Sequence, residues 1–255
     1  MTPLSGRSIV VTRPKRQAAV LAALIEKAGG RAMRFPALEI EPVTSPALDR
    51  VIAQLSSFDL AIFISRNAVE HGVARVRESG AWPLGLAFAA IGAGTRRALI
   101  EEGIGEVIAP DGPADSEALL RHIQLQSVRG KKIVIFRGAG GREELAAILC
   151  SRGAVVDYAE CYRRVRPAAD AGQLIDAWSR DELDAVTISS GEGLTNLDAL
   201  LGEPGRSVLR TTPVFVSHPR VAEAARVLGL ERVVVAGAAD EDMLRALVAY
   251  FGHSG

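Results

Sequence analysis

Ile9-Val-Val-Thr-Arg13 returns later in the chain as Ile133-Val-Ile-Phe-Arg137. The echo continues at an offset of roughly 125 residues, because Asp59-Leu-Ala-Ile-Phe-Ile-Ser65 returns as Asp184-Ala-Val-Thr-Ile-Ser-Ser190. A period this long is too large for a solenoid unit and has the size of a domain. The repeat therefore predicts two similar units, with a cleft between them as the natural place for a ligand.

The composition is that of an ordinary soluble protein without a dominant charge. Thirty basic residues balance thirty acidic ones among 255, which disfavours nucleic acid or an anionic membrane as a partner. The first residues lack the basic-then-apolar design of a signal peptide, and we expect a cytoplasmic protein. The two cysteines do not form a disulfide framework. Cys150 is predicted to be a buried, inert thiol in a helix, and Cys161 a semi-exposed thiol at the end of a strand.

Short β-branched runs alternate with stretches rich in Ala, Leu, Glu and Arg, which predicts buried parallel strands with helices on both faces. Each unit is therefore expected to be a doubly wound, Rossmann- or flavodoxin-like α/β domain. Predicted strands cover residues 7–13, 32–35, 60–64, 87–91, 106–109, 132–136, 154–158, 185–188, 214–216 and 232–235. Predicted helices cover residues 16–28 or begin near Asn67, Thr95, Asp115, Arg142, Gly191, Arg220 and Asp240.

Two extended segments, 37–42 and 160–167, lie at equivalent places in the repeat, and each ends in a proline. Proline restrains its predecessor to extended geometry, so both are predicted to be linker strands that pair with each other. Residues 1–36 would then join 168–255 in one discontinuous domain, and 43–159 would form the other. Two plain sequential halves satisfy the repeat equally well.

Several turns from a strand into a helix are small and polar, and such turns present backbone N–H groups and a helix dipole to anions. Each is also the usual composition of an ordinary helix cap. Because they fall at the carboxyl ends of strands, where ligands of such sheets bind, we predict a polyanionic ligand. The predicted binding residues in these turns are Ser65, Arg66, Asn67, Gly92, Gly94, Thr95, Gly138, Ser189, Ser190, Gly191, Ser217, His218 and Arg220.

Arg13 and Arg137 occupy the same position in the two repeats, directly after the first strand of each. Arginine can hold a carboxylate through two parallel hydrogen bonds, so both are predicted to bind substrate. A structural ion pair is the alternative for each. Tyr162, in the second linker segment, could donate a proton to a leaving hydroxyl or simply pack the linker.

Other chemistries are not supported by the motifs. The chain has no metal-ligand spacing and no P-loop lysine. Arg137-Gly-Ala-Gly-Gly-Arg142 resembles a dinucleotide fingerprint, but its third glycine falls on Glu143. His71, His122 and His253 are predicted to face solvent. No metal and no cofactor are expected.

Taken together, these residues resemble the uroporphyrinogen-III synthase family over essentially the whole chain. The resemblance is carried by Val11-Thr-Arg-Pro14, Phe35-Pro-Ala-Leu-Glu-Ile-Glu-Pro42, Phe63-Ile-Ser-Arg-Asn-Ala-Val69, Ile91-Gly-Ala-Gly-Thr95, Tyr162 before two arginines, and the stretch 217–221. The chain departs from the family at Ser217-His-Pro219, where other members often keep Gly or Thr.

The resemblance implies two α/β domains joined by a two-stranded linker and a monomer without cofactor or metal. It also implies a linear tetrapyrrole substrate, hydroxymethylbilane, which would be dehydrated and cyclised with inversion of ring D through a spiro intermediate. Tyr162 matches the family's tyrosine and would assist hydroxyl departure. A transient contact with the enzyme that supplies the bilane is the one protein partner implied.

Two other functions fit the same pattern of paired α/β units. The first is a non-enzymatic ligand-binding or sensor protein, in which the same anion loops would bind without chemistry. The second is a sugar-nucleotide transferase, for which the chain is short and lacks an acid placed to bind a nucleotide ribose.

Overall fold

The structure is a computed structural model that describes residues 2–80, 82–112 and 115–252. The chain divides into two compact units. Unit 1 contains the residues through Glu39 together with those from Val165 onward, and unit 2 is Ile40–Arg164. Among the described residues, no helix combines the length and apolar character needed to cross a lipid bilayer.

Unit 1 is a five-stranded parallel sheet with helices packed on it. Its strands are β1 (Ser8–Val11), β2 (Arg31–Arg34), β8 (Ala185–Ile188), β9 (Val214–Val216) and β10 (Val233–Val235), in the spatial order β10-β9-β8-β1-β2. Its helices are α1 (Lys15–Lys27), α8 (Gly172–Ser179), α9 (Gly191–Thr211), α10 (Pro219–Val227) and α11 (Asp240–Gly252). Read from β2, this order is the 2-1-3-4-5 arrangement of a flavodoxin-like doubly wound fold.

Unit 2 contains the second sheet, in the order β3-β7-β6-β4-β5. Its strands are β3 (Glu39–Pro42), β4 (Leu60–Phe63), β5 (Ala87–Ala90), β6 (Lys132–Gly138) and β7 (Val155–Val165). Its helices are α2 (Pro46–Ala53), α3 (Arg66–Ser79), α4 (Ala93–Glu101), α5 (Ser116–Leu120), α6 (Ile123–Gln126) and α7 (Glu144–Ser151). The predicted linker segments 37–42 and 160–167 correspond to β3 and to the carboxyl end of the long β7, and these two strands are neighbours.

The two sheets repeat the same spatial order although the chain enters them at different points. β7-β6-β4-β5 in unit 2 corresponds to β2-β1-β8-β9 in unit 1, with β3 added at the outer edge. An equivalent hydrogen bond in each unit marks the register of the repeat. Asp184 accepts a hydrogen bond from the Ser8 N–H at 2.8 Å, and its counterpart Asp59 accepts one from the Lys132 N–H at 2.8 Å.

The predicted strand over 106–109 is wrong. Only Ile108 pairs with β5, through a single parallel bridge to Ala89, whereas the equivalent β10 pairs with β9 over three residues. Gly103 and Gly105 precede this segment, and glycine has little preference for a strand. The helices α2, α6 and α8 have no counterpart among the predicted elements.

The core of unit 2 fixes α3 closely against the sheet. Gly72 lies so near β6 that a Cβ there would be 2.6 Å from the Phe136 ring. The Phe136 ring stacks on Phe63 with centroids 4.5 Å apart, and both side chains are fully buried. The close approach of helix and sheet sets the position of the first turn of α3, which contributes to the candidate site.

Candidate functional site

The carboxyl ends of three neighbouring strands in unit 2 are level with one another. Phe63 of β4 is paired with Ala90 of β5 and with Phe136 of β6, so the turns that follow begin side by side. The order of β6 and β4 marks the topological switch point of a doubly wound sheet, outside which ligands bind. The register therefore brings Ser65, Gly92 and Gly138 to one edge of the sheet.

Ser65 follows β4 at this edge and is the cap residue at which α3 begins. Its backbone is extended, and its Oγ accepts a hydrogen bond from the Ala68 N–H at 3.0 Å, the usual arrangement of a serine N-cap. The same Oγ lies 3.0 Å from the hydroxyl of Tyr162. The predicted catalytic tyrosine and a predicted binding residue are thus in direct contact.

A β-bulge in β7 aims Tyr162 at this edge. Arg137 pairs with Glu160, and the next residue, Gly138, pairs with Tyr162, so Cys161 is the extra residue on β7. The Tyr162 ring then lies over Gly138, where an added Cβ would be 2.8 Å from two ring carbons. The Ala139 N–H donates to the Tyr162 carbonyl at 2.7 Å. Tyr162 is only 2% exposed, and the glycine is what leaves room for it.

The guanidinium of Arg137 is turned back onto its own loop. Arg137 is 2% exposed; its Nε donates to the Gly138 carbonyl at 3.2 Å, and its second nitrogen donates to the Gly140 carbonyl. It also lies 4.6 Å from the centroid of the Tyr158 ring. Since these contacts occupy the fork that would bind a carboxylate, Arg137 in this structure holds the loop together.

The loop after β6 has few N–H groups left for an anion. Ala139 donates to Tyr162, as described, and the Gly140 N–H donates to Glu160 Oε1 at 3.1 Å. Burial raises the pKa of the Tyr158 phenol, and the carboxylate of Glu143 raises it further. Binding of substrate by Gly138 stays a prediction, and the geometry favours a role in seating Tyr162.

The turn into α4 is the part of the predicted anion site in unit 2 whose cap residue has no side chain. Its N-cap is Gly92, which has no side chain to accept from the first-turn N–H groups. Gly94 is exposed with open space around its Cα, and Thr95 is 6% exposed. These first-turn donors and the partial positive charge of the helix remain available to a carboxylate. Arg66 and Asn67 lie at the start of α3, Arg66 exposed and Asn67 half-buried.

In unit 1, Arg13 forms an ion pair at the start of α11. Its guanidinium donates to the Asp240 carboxylate and, at 3.1 Å, to the Ala238 carbonyl. Burial raises the pKa of Asp240, and the positive charge of Arg13 opposes that rise. Arg13 thus forms the structural ion pair that was its alternative, whereas Arg137 bonds to carbonyls of its own loop. Binding of substrate by either arginine stays a prediction.

The remaining predicted residues lie at the carboxyl edge of the unit 1 sheet. Ser217 Oγ donates to the Ser189 carbonyl at 2.8 Å, which ties two turns together. Ser190 caps α9 by accepting from the Gly193 N–H at 3.0 Å, and His218 caps α10 by accepting from the Arg220 N–H through Nδ1 at 3.2 Å. Gly191, His218 and Arg220 are exposed. Ser190 and His218 therefore act as helix caps, and these turns face solvent.

Some neighbours of the site were not predicted from the sequence. His71, predicted to face solvent, is half-buried with its ring centroid 5.9 Å from that of Tyr162. His71 lies in α3 five residues after Arg66, on the turn above Ser65. This spacing could have indicated from the sequence that His71 lies near the site. His122 is also half-buried, whereas His253 lies outside the described residues. Thr12 and Thr187 are buried and bond to each other's strands, Thr12 Oγ1 to the Thr187 carbonyl at 2.7 Å.

One concavity of unit 2 lies apart from the predicted site. It has a volume of about 860 Å³ and lies along β5 beside residues 103–108, where the missing strand leaves the sheet edge open. None of the predicted binding residues lines it. Among the described residues, no cluster of His, Cys, Asp and Glu side chains is arranged to hold a metal ion.

Neither cysteine has the environment that the sequence predicted. Cys150 is exposed on α7, and Cys161 is 2% exposed. The bulge turns the Cys161 thiol inward, toward the Ala68 and Arg137 carbonyls at 3.6 Å and 3.5 Å. Burial raises the pKa of Cys161 to about 12, so it stays a neutral thiol at any ordinary pH.

This difference predicts the reactivity of the thiols. Because the thiolate is the nucleophile, we expect native protein at pH 8 to react with one equivalent of a thiol reagent, at Cys150. Cys161 should react only after unfolding in guanidinium. Mass spectrometry of the labelled peptides checks the assignment, and rapid labelling of Cys161 in the native protein would contradict the buried bulge.

Comparison with known proteins identifies the family. A family model described as Uroporphyrinogen-III synthase HemD matches residues 19–245. The chain belongs to the uroporphyrinogen-III synthase family. The uroporphyrinogen-III synthase of Escherichia coli (strain K12) is 34% identical over 245 residues, covering 94% of this chain and 99% of that protein. The Salmonella typhimurium protein of the same name is 35% identical over 245 residues, with the same coverage.

Solved structures of the family share the fold. A mutant uroporphyrinogen III synthase from the extremely thermophilic bacterium Thermus thermophilus aligns with a TM-score of 0.63 at 21% identity, covering 98% of this chain and all of that one. The uroporphyrinogen-III synthetase of Helicobacter pylori 26695 aligns with a TM-score of 0.60 at 12% identity, covering 96% and 99%. The α/β fold of the two parallel sheets is thus a property of the family.

Proposed function

We propose that this protein is a uroporphyrinogen-III synthase, a lyase that dehydrates and cyclises hydroxymethylbilane with inversion of ring D. The observation that carries the proposal is the near end-to-end match to relatives bearing that name, at 34% and 35% identity. The polar edge of unit 2 supports it, because Tyr162, Ser65 and the open turn into α4 combine a hydroxyl pair with an anion site.

The reaction begins with loss of water from the hydroxymethyl end of the bilane. The electron pair of the adjacent pyrrole expels the hydroxyl as it accepts a proton, leaving an electrophilic methylene group. That carbon is attacked by the substituted carbon of ring D, which gives a spiro intermediate. The bond from ring D to its neighbouring bridge then breaks and reforms at the other position, and loss of a proton restores the aromatic pyrrole.

The protein contributes mainly by positioning. The bilane cyclises without help to the uninverted type I isomer, so the enzyme must favour one folded arrangement of a substrate with eight carboxylates. The first-turn N–H groups of α4 and the turns after β8 and β9 are the proposed carboxylate sites. Arg66 and Arg220 are exposed cations at the same edges of their sheets and can pair with carboxylates.

Isomer analysis tests this proposal. The protein is incubated with hydroxymethylbilane generated in the same tube by a bilane-forming enzyme, and the oxidised porphyrins are separated by chromatography. We expect type III to be the main product, with type I alone in a reaction without the protein. A binding or sensor protein would leave type I as the only isomer formed.

A further inference from the structure

We propose that Ser65, rather than Tyr162, is the group that gives a proton to the departing hydroxyl, and that Tyr162 is a positioning residue behind it. This inference rests on the proposed function and assigns the acid within it. Its basis is the number and direction of the hydrogen bonds at the Ser65 hydroxyl, together with the difference in exposure between the two side chains.

The Ser65 oxygen is already used as an acceptor. A serine hydroxyl has one proton to donate and two lone pairs to accept. One lone pair accepts from the Ala68 N–H at 3.0 Å, because Ser65 caps α3. The Tyr162 hydroxyl lies 3.0 Å away, and the direction of this second bond decides where the serine proton points.

The burial of Tyr162 favours the phenol as the donor. With 2% of its surface exposed, its O–H needs a protein acceptor, and within the described part of the chain it lies at hydrogen-bond distance from the Ser65 Oγ. If Ser65 donated instead, the phenol proton would be buried without an acceptor, which costs about 1–3 kcal/mol. Tyr162 therefore donates to Ser65, and both lone pairs of Ser65 are filled.

The serine proton is then left to point away from the protein. Ser65 is half-buried rather than buried, and it stands at the carboxyl edge beside the open turn into α4. Two donors to its oxygen make the remaining O–H a better proton donor, since hydrogen bonds in a chain polarise one another. A substrate at this edge meets the Ser65 hydroxyl, while the Tyr162 phenol lies behind it.

The proposed step balances as follows. The C–O bond of the hydroxymethyl group breaks as the pyrrole nitrogen lone pair forms the new double bond. The Ser65 proton passes to the departing oxygen, which leaves as water, and the Tyr162 proton passes to Ser65. The pyrrole nitrogen keeps its proton throughout. The proton lost from the carbon of ring D that forms the last bond restores the phenol, so neither residue is consumed.

Variants at Ser65 separate proton donation from helix capping. Ser65→Ala removes both functions, whereas Ser65→Gly removes the hydroxyl but keeps a residue that is nearly as good an N-cap. We expect both to lower kcat for the type III isomer by about 100-fold, the lower end of general-acid effects. Ser65→Thr keeps the hydroxyl and should stay within a few-fold of wild type. Ser45 caps α2 by accepting from Leu48 at 3.1 Å, and Ser45→Ala is the matched control with unchanged turnover.

A modified substrate supplies a readout that capping does not affect. A bilane whose hydroxyl is replaced by an ester loses a carboxylate as its leaving group, which needs no proton. With this analogue, Ser65→Gly should recover the type III fraction of wild type. Tyr162→Phe should lower kcat with hydroxymethylbilane by only about tenfold, as expected for a residue acting through another.

Three results would overturn the inference. They are wild-type turnover in both Ser65→Ala and Ser65→Gly, no recovery with the ester, or a Tyr162→Phe defect much larger than that of Ser65→Gly. The proposed function fails separately, if wild-type protein gives only the type I isomer.

Discussion

We expect Gly138→Ala to lower kcat for type III formation by about tenfold, as Tyr162→Phe does, while leaving the two units folded, because the new methyl group would displace the Tyr162 ring. The added Cβ would lie 2.8 Å from two ring carbons and 3.2 Å from the hydroxyl. Tyr162 is enclosed by the core of unit 2, so the ring cannot yield without a change in its contact with Ser65. A misplacement of about 1 Å can cost about 100-fold in rate, so a smaller shift of this positioning residue is sufficient for the expected loss.

The control is Gly105→Ala, at a glycine with open space around its Cα, which should change neither rate nor stability. Gly138→Ala should reduce the free energy of unfolding by about 1–3 kcal/mol, the usual cost of overpacking. If Gly138→Ala lowers kcat by displacing the Tyr162 phenol, adding this change to Tyr162→Phe should lower kcat little further. Full activity of Gly138→Ala would contradict the geometry of the bulge.

The second large effect is expected from Arg137→Met, through stability. The methionine fills much of the space but cannot donate to the Gly138 and Gly140 carbonyls. Losing two hydrogen bonds from a buried charged group should lower the free energy of unfolding by about 2–4 kcal/mol. The loop would also release Tyr162, so we expect kcat to fall more than the KM for the bilane rises.

Lys131→Met is the matched control, since Lys131 is exposed just before the other end of β6 and should not affect stability or rate. Urea unfolding and steady-state kinetics with hydroxymethylbilane make the comparison. If Arg137→Met were fully stable and only KM rose, the guanidinium would be a carboxylate ligand, as the sequence first predicted.

Much of the fold could be predicted because the two copies constrain each other. Strands such as β4 and β8 are short, apolar and flanked by polar turns in both repeats, so their positions were clear within a few residues. The prediction over 106–109 rested on the same alternation of apolar runs with helical stretches. A run of this kind does not show whether it pairs along its length, and here only the equivalent segment of unit 1 forms a paired strand, β10.

The candidate site was harder to predict because side-chain direction depends on local irregularity. Regular alternation along β7 would give Cys161 and Tyr162 opposite faces, and nothing in the local sequence marks a bulge at this point. The bulge buries Cys161 and brings Tyr162 to Ser65. Likewise, an arginine after a strand has the same sequence appearance whether it binds a ligand or folds back on its own loop, as Arg137 does.

The most direct test of the proposed function is the type III fraction of total porphyrin as the protein concentration is raised at a fixed rate of bilane supply. Spontaneous closure gives type I and competes with the enzyme at every concentration. We predict that type III rises from near zero to almost all of the product as the protein outcompetes that closure. A product that stays type I at every protein concentration would contradict the proposed function.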